Sequence, residues 1–356
     1  MKRTLSPREN LLSLYRRQGY EYAPLRFDLC DLQHQRFIAE TGQTDYFEYF
    51  DFPSRAFPKL SVEQGTANFH MYYQSIKSDT FFDDWGVANE KGSAAAYHMT
   101  RMRHPLQNLE SVDELVNYPW PDYKPDPTVD YEGLIKSIHD KGLASYGGLE
   151  VTIWERSWYI RGMEGLFADM MDEDEKAVYL LDKVTESACK NAAHFAHAGV
   201  DFLHLGDDIG TQRSILMSVD MYRKWLMPRL KKVIDTAKAI KPDILVQYHS
   251  CGQIMPFIDS LCEAGIDILN PVQPECMDFA EVHTKFGHKL SFNGTLGTQT
   301  TLPFGTPADV RKTVTTNLAI AGKKGGLFVC PTHLVEPEVP WENVQAYVEA
   351  VNSWQG

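Results

Sequence analysis

The clearest sign of the fold of this chain is the stretch Ile244-Leu245-Val246-Gln247-Tyr248-His249-Ser250-Cys251-Gly252. Its apolar first half is typical of a buried strand, and its second half is a polar turn that carries an imidazole and a thiol. Similar apolar runs, each followed by a polar or glycine-bearing turn, recur from Leu143 onward with amphipathic helical stretches between them. This alternation is typical of βα units and a parallel sheet.

The apolar runs and the helical periodicity predict a complete barrel. Six strands are predicted at Leu143–Leu149, Val200–Leu205, Ile244–Tyr248, Ile266–Leu269, Leu290–Phe292 and Leu327–Val329. Helices are predicted at Leu32–Thr41, Met163–Met171, Asp174–Ala198, Ser218–Ile240, Met255–Ala264, Ala280–Phe286 and Pro307–Ala321. Pro24–Asp28 and Tyr46–Phe52 are predicted as the first two strands, which completes eight. We therefore expect an α/β fold, a TIM (β/α)8 barrel with an N-terminal extension.

The first third of the chain has a weaker pattern. We expect residues 1–356 to form a single barrel domain, in which 53–127 is an inserted extension that ends in a proline-rich linker. A hairpin is predicted around Phe81 to Arg103, and the prolines of Tyr118–Pro127 exclude a helix or a central strand there. Ser6 and Glu9 form a predicted capping box at the start of a first helix.

Charge and hydropathy exclude several classes of function. The chain has 48 acidic and 35 basic residues, a net charge of −13, and no basic cluster. Sequence-independent nucleic-acid binding is therefore not expected. No apolar run is long enough to span a membrane, and the N-terminus lacks the apolar core of a signal peptide, so the predicted location is the cytoplasm. The oligomeric state is left open.

The residues that point to chemistry stand at two predicted strand ends. His249 and Cys251 follow one strand and Cys330 follows another, and the carboxyl ends of barrel strands share one rim. One imidazole and two thiols suit zinc and leave its fourth tetrahedral position open. The alternative is that these are ordinary buried thiols, since the chain has six cysteines and Cys is often buried.

Four segments of the chain resemble a known family. They are Asp207-Asp208-Ile209-Gly210-Thr211-Gln212, His249-Ser250-Cys251-Gly252, Gly265-Ile266-Asp267-Ile268-Leu269-Asn270-Pro271-Val272-Gln273-Pro274 and Leu302-Pro303-Phe304-Gly305-Thr306-Pro307. They resemble the uroporphyrinogen decarboxylase superfamily and, more narrowly, its corrinoid-dependent methyltransferase branch. The resemblance implies a TIM barrel with a zinc motif of His-x-Cys and a distant Cys, which His249, Cys251 and Cys330 match in type, order and spacing.

The N-terminal segment departs from the decarboxylases of this superfamily. Their N-terminal motif carries arginines that bind substrate carboxylates, whereas the comparable stretch here, Glu21-Tyr22-Ala23-Pro24-Leu25-Arg26-Phe27-Asp28-Leu29, retains only Arg26. A polyanionic tetrapyrrole without paired arginines would be poorly held. Decarboxylation is therefore the second hypothesis.

The resemblance implies a zinc enzyme that moves a methyl group between a small methylated substrate and cobalt. We expect a methoxylated aromatic as the substrate and a separate corrinoid protein as the partner that carries the cobalamin-type cofactor. Methyl transfer from a methylcobamide to a thiol is the close alternative. A non-enzymatic corrinoid-binding module is a third hypothesis, but the motif Asp-x-His-x-x-Gly expected of one is absent from the sequence.

Further site residues are predicted from their places after strands. Glu150 is a candidate fourth ligand or proton-handling group, and Asp208 a candidate catalytic carboxylate, although one of Asp207 and Asp208 is expected to cap a turn. Candidates for substrate binding are the aromatic residues Trp154, Trp158 and Tyr159 and the amides Gln273 and Asn293. Each of these has an alternative interpretation in packing or in joining loops. His333 is interpreted as structural, and Cys30, Cys189, Cys262 and Cys276 are interpreted as buried thiols.

Overall fold

A computed structural model describes residues 3–62, 68–92 and 100–354 of the chain. The strands are β1 (Ser54–Phe57), β2 (Ser61–Val62), β3 (Phe81–Phe82), β4 (Ala88–Lys91), β5 (Thr100–Arg103), β6 (Tyr123–Lys124), β7 (Ala144–Leu149), β8 (Phe202–Gly206), β9 (Leu245–His249), β10 (Ile268–Asn270), β11 (Ser291–Asn293) and β12 (Leu327–Phe328). The α-helices are α1 (Pro7–Tyr15), α2 (Asp31–Thr41), α3 (Tyr46–Tyr49), α4 (Val112–Val116), α5 (Tyr131–Asp140), α6 (Trp154–Arg161), α7 (Met163–Met171), α8 (Glu175–Ala198), α9 (Val219–Trp225), α10 (Met227–Ile240), α11 (Ile258–Ala264), α12 (Phe279–Phe286), α13 (Thr301–Phe304), α14 (Pro307–Ala321) and α15 (Trp341–Ser353).

The main sheet is a curled parallel sheet of seven strands in the order β1-β7-β8-β9-β10-β11-β12. From β7 onward the strands alternate with helices, which confirms the predicted α/β fold of the TIM-barrel type. The register pairs His249 with Gly206 on one side and with Asn270 on the other, so three neighbouring strands end level with one another. His204 and His249 are the less buried positions of β8 and β9, whose other residues are buried.

The predicted first strand does not pair with the sheet as a strand. Within Pro24–Asp28 no strand forms, and the next residue, Leu29, makes a single parallel bridge to Val335, which follows β12. The Arg26 guanidinium lies 3.4 Å from the Ser54 hydroxyl on β1. This segment therefore contacts both edges of the curled sheet, at the place of the eighth strand of a closed barrel.

The predicted second strand, Tyr46–Phe52, is wrong. Its first residues form the short helix α3, where the Asp45 side chain accepts a hydrogen bond from the backbone N–H of Glu48. The rings of this segment pack together, with Phe50 and Phe52 each about 5 Å from the ring of Phe27. Helix capping and a shared aromatic cluster therefore outweigh the strand propensity of these residues. β1 takes the place of the second strand.

The other predicted elements are present, with two differences at prolines. Six predicted strands correspond to β7–β12 within a few residues at each end. The predicted helix Ser218–Ile240 is divided into α9 and α10, because Pro228 in the first turn of α10 has no N–H to continue the preceding helix. The predicted helix Met255–Ala264 begins as a 3-10 turn over Met255–Phe257, which also contains a proline.

The segment between β1 and α5 carries two small antiparallel sheets. β3, β4 and β5 pair in that order, in agreement with the predicted hairpin, and β2 pairs with β6 in the proline-rich linker. The domain boundaries stay a prediction. None of the helices in the described ranges is long and apolar enough to cross a membrane.

Candidate metal centre

Three side chains with metal-binding atoms meet above the ends of β8 and β9. One ligand atom each from Asp208, His249 and Cys251 lies within 4.8 Å of the others. The Nε2 atom of His249 is 3.5 Å from the Cys251 sulphur and 3.7 Å from Oδ1 of Asp208. An imidazole nitrogen, a thiol and a carboxylate form a donor set that suits zinc. We call these three residues the β9 cluster.

The backbone fixes this arrangement. His249 is the last residue of β9 and is paired with Gly206, so the residues that follow β8 reach the same level of the rim. There, Oδ1 of Asp208 accepts a hydrogen bond of 2.7 Å from the backbone N–H of Cys251. The carboxylate therefore ties the loop after β8 to the loop after β9.

The neighbouring carboxylate, Asp207, has a structural role. It is buried and accepts hydrogen bonds of 2.9 to 3.1 Å from the backbone N–H groups of Ile153 and Glu155, at the start of α6. These bonds satisfy helix N–H groups that lack partners within the helix. Asp207 thus caps the start of α6, whereas Asp208 lies in the β9 cluster, and the catalytic role of Asp208 stays a prediction.

The orientation of His249 is set by an asparagine that the sequence did not single out. Asn270, at the end of β10, accepts a hydrogen bond of 2.6 Å from Nδ1 of His249. Its own amide N–H groups donate to the backbone and side-chain oxygens of Asn293 at 2.9 and 2.8 Å, so Oδ1 is the atom left to face the imidazole. Nδ1 of His249 therefore carries the proton, and the lone pair of Nε2 points to the β9 cluster.

Cys330 lies on the far side of this network. Its thiol is buried and donates a hydrogen bond of 3.1 Å to Oδ1 of Asn293, and it is not one of the three groups that converge within 4.8 Å. Burial raises the pKa of Cys330 to about 12, against the opposing effect of the nearby Arg26 charge. Its role as a zinc ligand stays a prediction.

Burial also raises the pKa of the Cys251 thiol, and the carboxylates of Asp208 and Glu155 raise it further. A thiol in these surroundings keeps its proton unless a cation compensates for the negative charge around it. A divalent metal supplies that compensation, since metal binding deprotonates a coordinating thiol.

A cavity of about 410 Å³ extends from the rim into the barrel, and we call it the inner cavity. His249 and Cys330 both line it, so the two strand ends share one chamber. Its aromatic walls are formed by Tyr15, Phe27, Tyr146, Phe202 and Phe328. A concave cavity with apolar walls and a few polar groups is typical of a site for a small organic ligand.

Glu150 lies at this cavity beside a histidine that sequence reasoning missed. Oε1 of Glu150 is 3.3 Å from Nδ1 of His204, and both residues line the inner cavity. The ring of His204 is 6.2 Å from that of His249, centroid to centroid. Burial lowers the pKa of His204 to about 3, so this ring is neutral beside the β9 cluster. His204 lies in the middle of a predicted strand and not in the turn after it, so the sequence did not mark it as a site residue.

The three aromatic residues predicted to bind substrate pack within the protein, and their contact with substrate stays a prediction. Trp154 is fully buried against Phe167, with ring centroids 4.8 Å apart. Trp158 and Tyr159 pack edge to face on each other, and the Tyr159 hydroxyl donates to Glu155. None of the three is among the described residues that line the inner cavity. The aromatic walls come instead from strands and from the N-terminal segment.

The two predicted amides make hydrogen bonds within the protein. Oε1 of Gln273 accepts from the backbone N–H of Gly252, and its amide donates to Gln212. Asn293 donates to the Tyr15 hydroxyl at 2.7 Å and accepts from Asn270 and Cys330. Both amides thus support the loops around the site, and their contact with substrate stays a prediction.

The remaining cysteines are free thiols outside the β9 cluster. Cys30 is buried as predicted, whereas Cys189, Cys262 and Cys276 are partly exposed, which corrects that prediction for three of the four.

Comparison with known proteins identifies the family. The sequence profile described as Uroporphyrinogen decarboxylase (URO-D) matches residues 148–354. The chain belongs to the uroporphyrinogen decarboxylase family. The matched region contains all the predicted ligands and the strands β8–β12 that position them.

Individual relatives of the family are distant from this chain. Uroporphyrinogen decarboxylases of Synechococcus sp. and Pseudomonas fluorescens are 26% and 25% identical over 172 and 195 residues, which are 48% and 52% of this chain. The chain spans about half the length of these curated relatives, 46% and 50%. A solved structure of a methyltransferase from Methanosarcina mazei has the same fold, with a TM-score of 0.68 over 97% of this chain and 98% of that one, at 16% sequence identity.

Proposed function

We propose that this protein is a zinc-dependent methyltransferase that moves a methyl group between a small methylated compound, a methoxylated aromatic, and the cobalt of a corrinoid carried by a partner protein. The observation that carries the proposal is the β9 cluster, a zinc-type donor set at the mouth of an aromatic cavity. Family membership and the likeness of fold to a methyltransferase are consistent with it.

The residues present fit a zinc ion. His249, at the end of β9, and Cys251, two residues further on, would be two of the ligands. Asn270 bonds to Nδ1 of His249, so that Nε2 of this ring faces the Cys251 sulphur. Asp208 is the nearest carboxylate, and we propose Cys330 as the third protein ligand because it lines the same chamber as His249. A set of three such ligands leaves a position for substrate.

Zinc in such a site supplies Lewis acidity, which polarises an ether oxygen or stabilises a thiolate. The aromatic walls of the inner cavity hold the ring of the substrate and exclude water from the reacting bond. In demethylation the C–O bond breaks with its electron pair on oxygen. The methyl carbon would take the electron pair of its new bond from the reduced corrinoid when the partner protein presents it, and the phenolate oxygen would take a proton from solvent.

The charges of the inner cavity argue against the decarboxylation of a tetrapyrrole. Arg26 is the single arginine or lysine among the described residues that line it, and its guanidinium is shared with Asp28 at 3.4 Å and the Tyr146 hydroxyl at 3.0 Å. Glu150 adds a further carboxylate. A substrate with many carboxylates would find one cation, Arg26, which is already paired, and would be repelled by the carboxylates of Asp28 and Glu150.

The test is metal analysis of anaerobically purified, chelator-free protein, followed by turnover with reduced cobalamin and 2-methoxyphenol. We expect about one zinc per chain, and loss of reduced cobalamin absorbance that depends on both the zinc and the ether. The matched control is Cys189→Ser, a partly exposed thiol of α8 outside the cluster, which should retain metal and turnover. Protein without zinc, or turnover unaffected by its removal, would refute the mechanism. Turnover only with methylcobalamin and a thiol would assign the thiol-methylating alternative.

A further inference from the structure

Two polar side chains of the inner cavity lie deeper in the barrel than the candidate metal centre. Gln247 is on β9, two residues before His249, so both side chains point to the same face of the sheet, about 6.6 Å apart along the strand. His204 is on β8 and is paired with Gln247 in the register of the two strands. Both His204 and Gln247 line the inner cavity, so they stand next to each other at its wall.

Each of these two side chains has a buried polar atom that makes no hydrogen bond to any described residue. The atoms are Nε2 of His204 and Oε1 of Gln247, and Gln247 as a whole is 4% exposed. Asn270, which lines the same cavity, differs, because its side chain bonds to His249 and to Asn293. A buried polar group without a hydrogen bond destabilises the folded protein, so two of them side by side at a cavity point to a ligand that bonds to them.

Both atoms are hydrogen-bond acceptors. Oε1 of Gln247 is a carbonyl oxygen. Nδ1 of His204 lies 3.3 Å from Oε1 of Glu150, so the ring proton faces that carboxylate and Nε2 carries the lone pair. Burial lowers the pKa of His204 to about 3, so the ring does not offer a second N–H near neutral pH. We call His204 and Gln247 the acceptor pair.

The surroundings of the acceptor pair favour a neutral donor on the ligand. Asp28 and Glu150, which both line the inner cavity, disfavour an anion, and the guanidinium of Arg26 disfavours an ammonium group. The aromatic walls favour an apolar ring. A neutral aromatic ring with a hydroxyl group fits all of these surroundings, because the O–H group donates to the acceptor pair while the ring packs against the walls.

We propose that His204 and Gln247 recognise a free hydroxyl on the aromatic ring of the substrate, so that the preferred substrate is a methoxyphenol and not a fully methylated aromatic ether. This inference rests on the proposed function and deepens it by naming the substrate class. Because Gln247 lies deeper than His249 on the same face of β9, a hydroxyl across the ring from the ether reaches the acceptor pair while the ether faces the metal centre. 4-Methoxyphenol is the simplest compound of this kind.

The experiment is calorimetric titration of zinc-loaded protein with 4-methoxyphenol and with 4-methoxytoluene, in which a methyl group of similar size replaces the hydroxyl. We expect the wild type to bind the phenol about tenfold more tightly. Gln247→Leu and His204→Leu each remove one acceptor and should lower this preference to about threefold, by weakening the binding of the phenol. Gln35→Leu, at an exposed position of α2, is the matched control and should keep the preference of the wild type.

Thermal unfolding of the ligand-free protein separates recognition of a ligand from a structural role. Leucine in place of a buried amide that makes no hydrogen bond removes an unsatisfied polar group. The melting temperature of Gln247→Leu should therefore equal or exceed that of the wild type. A lower melting temperature would show that the fold needs this amide, which contradicts the proposal.

The hydroxyl site and the proposed function can fail separately. Equal affinity of the wild type for the two ligands, or a preference that neither leucine variant lowers, would overturn the hydroxyl site. Turnover of both ethers with reduced cobalamin is then measured on the same zinc-loaded protein. If both are demethylated, the proposed function stands without the hydroxyl site, and if neither is demethylated, the proposed function is itself overturned.

Discussion

Two cysteines predicted to bind the same metal follow β9 and β12, yet their side chains have different surroundings. At the end of β9, Cys251 lies with His249 and Asp208 in a cluster that spans less than 4.8 Å. At the end of β12, the Cys330 thiol is hydrogen-bonded to Asn293 and stands outside that cluster. The two ends share the inner cavity through His249 and Cys330.

The difference shows that residues close in sequence are brought together more directly than residues on distant strands. His249 and Cys251 are two residues apart, so the path of one chain segment brings them together. Cys330 reaches the same rim only through the curvature of the sheet, and its side chain must exchange one partner for another to join a metal. We therefore expect His249 and Cys251 to contribute most of the metal affinity, and the side chain of Cys330 to move to reach the bound metal.

The largest expected effect comes from Cys251→Ser. It removes the sulphur nearest to Nε2 of His249, so zinc affinity should fall by more than the roughly 100-fold that loss of an outer-shell partner costs. Methyl transfer should be lost with it, while the melting temperature of the metal-free protein stays close to that of the wild type. Zinc affinity by chelator competition and circular dichroism check both. Retained zinc and turnover would refute the role of this thiol.

Cys330→Ser should have a smaller effect. Recruiting this thiol breaks its hydrogen bond to Asn293, so part of the gain from the new metal bond is offset, by about 1 kcal/mol. Zinc affinity should therefore fall about 10- to 100-fold, less than for Cys251→Ser. The same competition assay compares the two variants directly. An affinity equal to that of the wild type would remove Cys330 from the ligand set.

Asn270→Ala tests whether metal binding by His249 depends on the hydrogen bond from its Nδ1 to Asn270. Without the amide oxygen, His249 loses the partner that fixes its tautomer and ring orientation, so zinc affinity should fall about 10-fold. Asn117→Ala is the control, because the amide of Asn117, at the end of α4, donates to the backbone carbonyl of Asp113 and not to a residue of the candidate metal centre. Equal behaviour of the two variants would show that the position of His249 does not depend on Asn270.

The smallest expected effect concerns His204, the neutral neighbour of His249. Its pKa is about 3 in the folded protein against an ordinary value of 6.5, because burial and the nearby His249 disfavour the charged ring. The unfolded chain therefore binds a proton that the folded chain does not, and the free energy of unfolding falls as the pH drops from about 6.5 towards 3. Urea denaturation of metal-free protein at pH 7 and pH 5 should show a smaller decrease for His204→Gln than for the wild type. Identical decreases would mean that His204 is protonated as readily in the folded protein.

The predictions from sequence succeeded where a pattern is repeated and local. Strands β7–β12 follow from apolar runs that end in polar turns, and α7 and α14 were predicted to the residue. The segment Tyr46–Phe52 failed because its aromatic residues fit a strand equally well, and the cap from Asp45 together with the ring of Phe27 decided for a helix. Single-segment propensity is weak wherever tertiary packing offers an alternative.

For the candidate metal centre, the sequence identified which residues lie at the strand ends better than it identified which side chains touch. His249, Cys251 and Asp208 were placed by their positions after strands, and the structure brings them together. Trp154 is fully buried, and its sequence could not show this, since an aromatic run has no feature that separates a cavity wall from a packed helix. Asn270 contacts His249 from the neighbouring strand, and no sequence spacing predicts a hydrogen bond between two strands.

The βα order, the rim on which the polar residues gather, and the His-x-Cys pair follow from the order of residues alone, because each depends on residues a few positions apart. The fold, and not the order of residues, brings Asp208 to the β9 cluster, places Asn270 beside His249, and puts His249 and Cys330 on one inner cavity. These features depend on distances between strands, which are set by the register and curvature of the sheet.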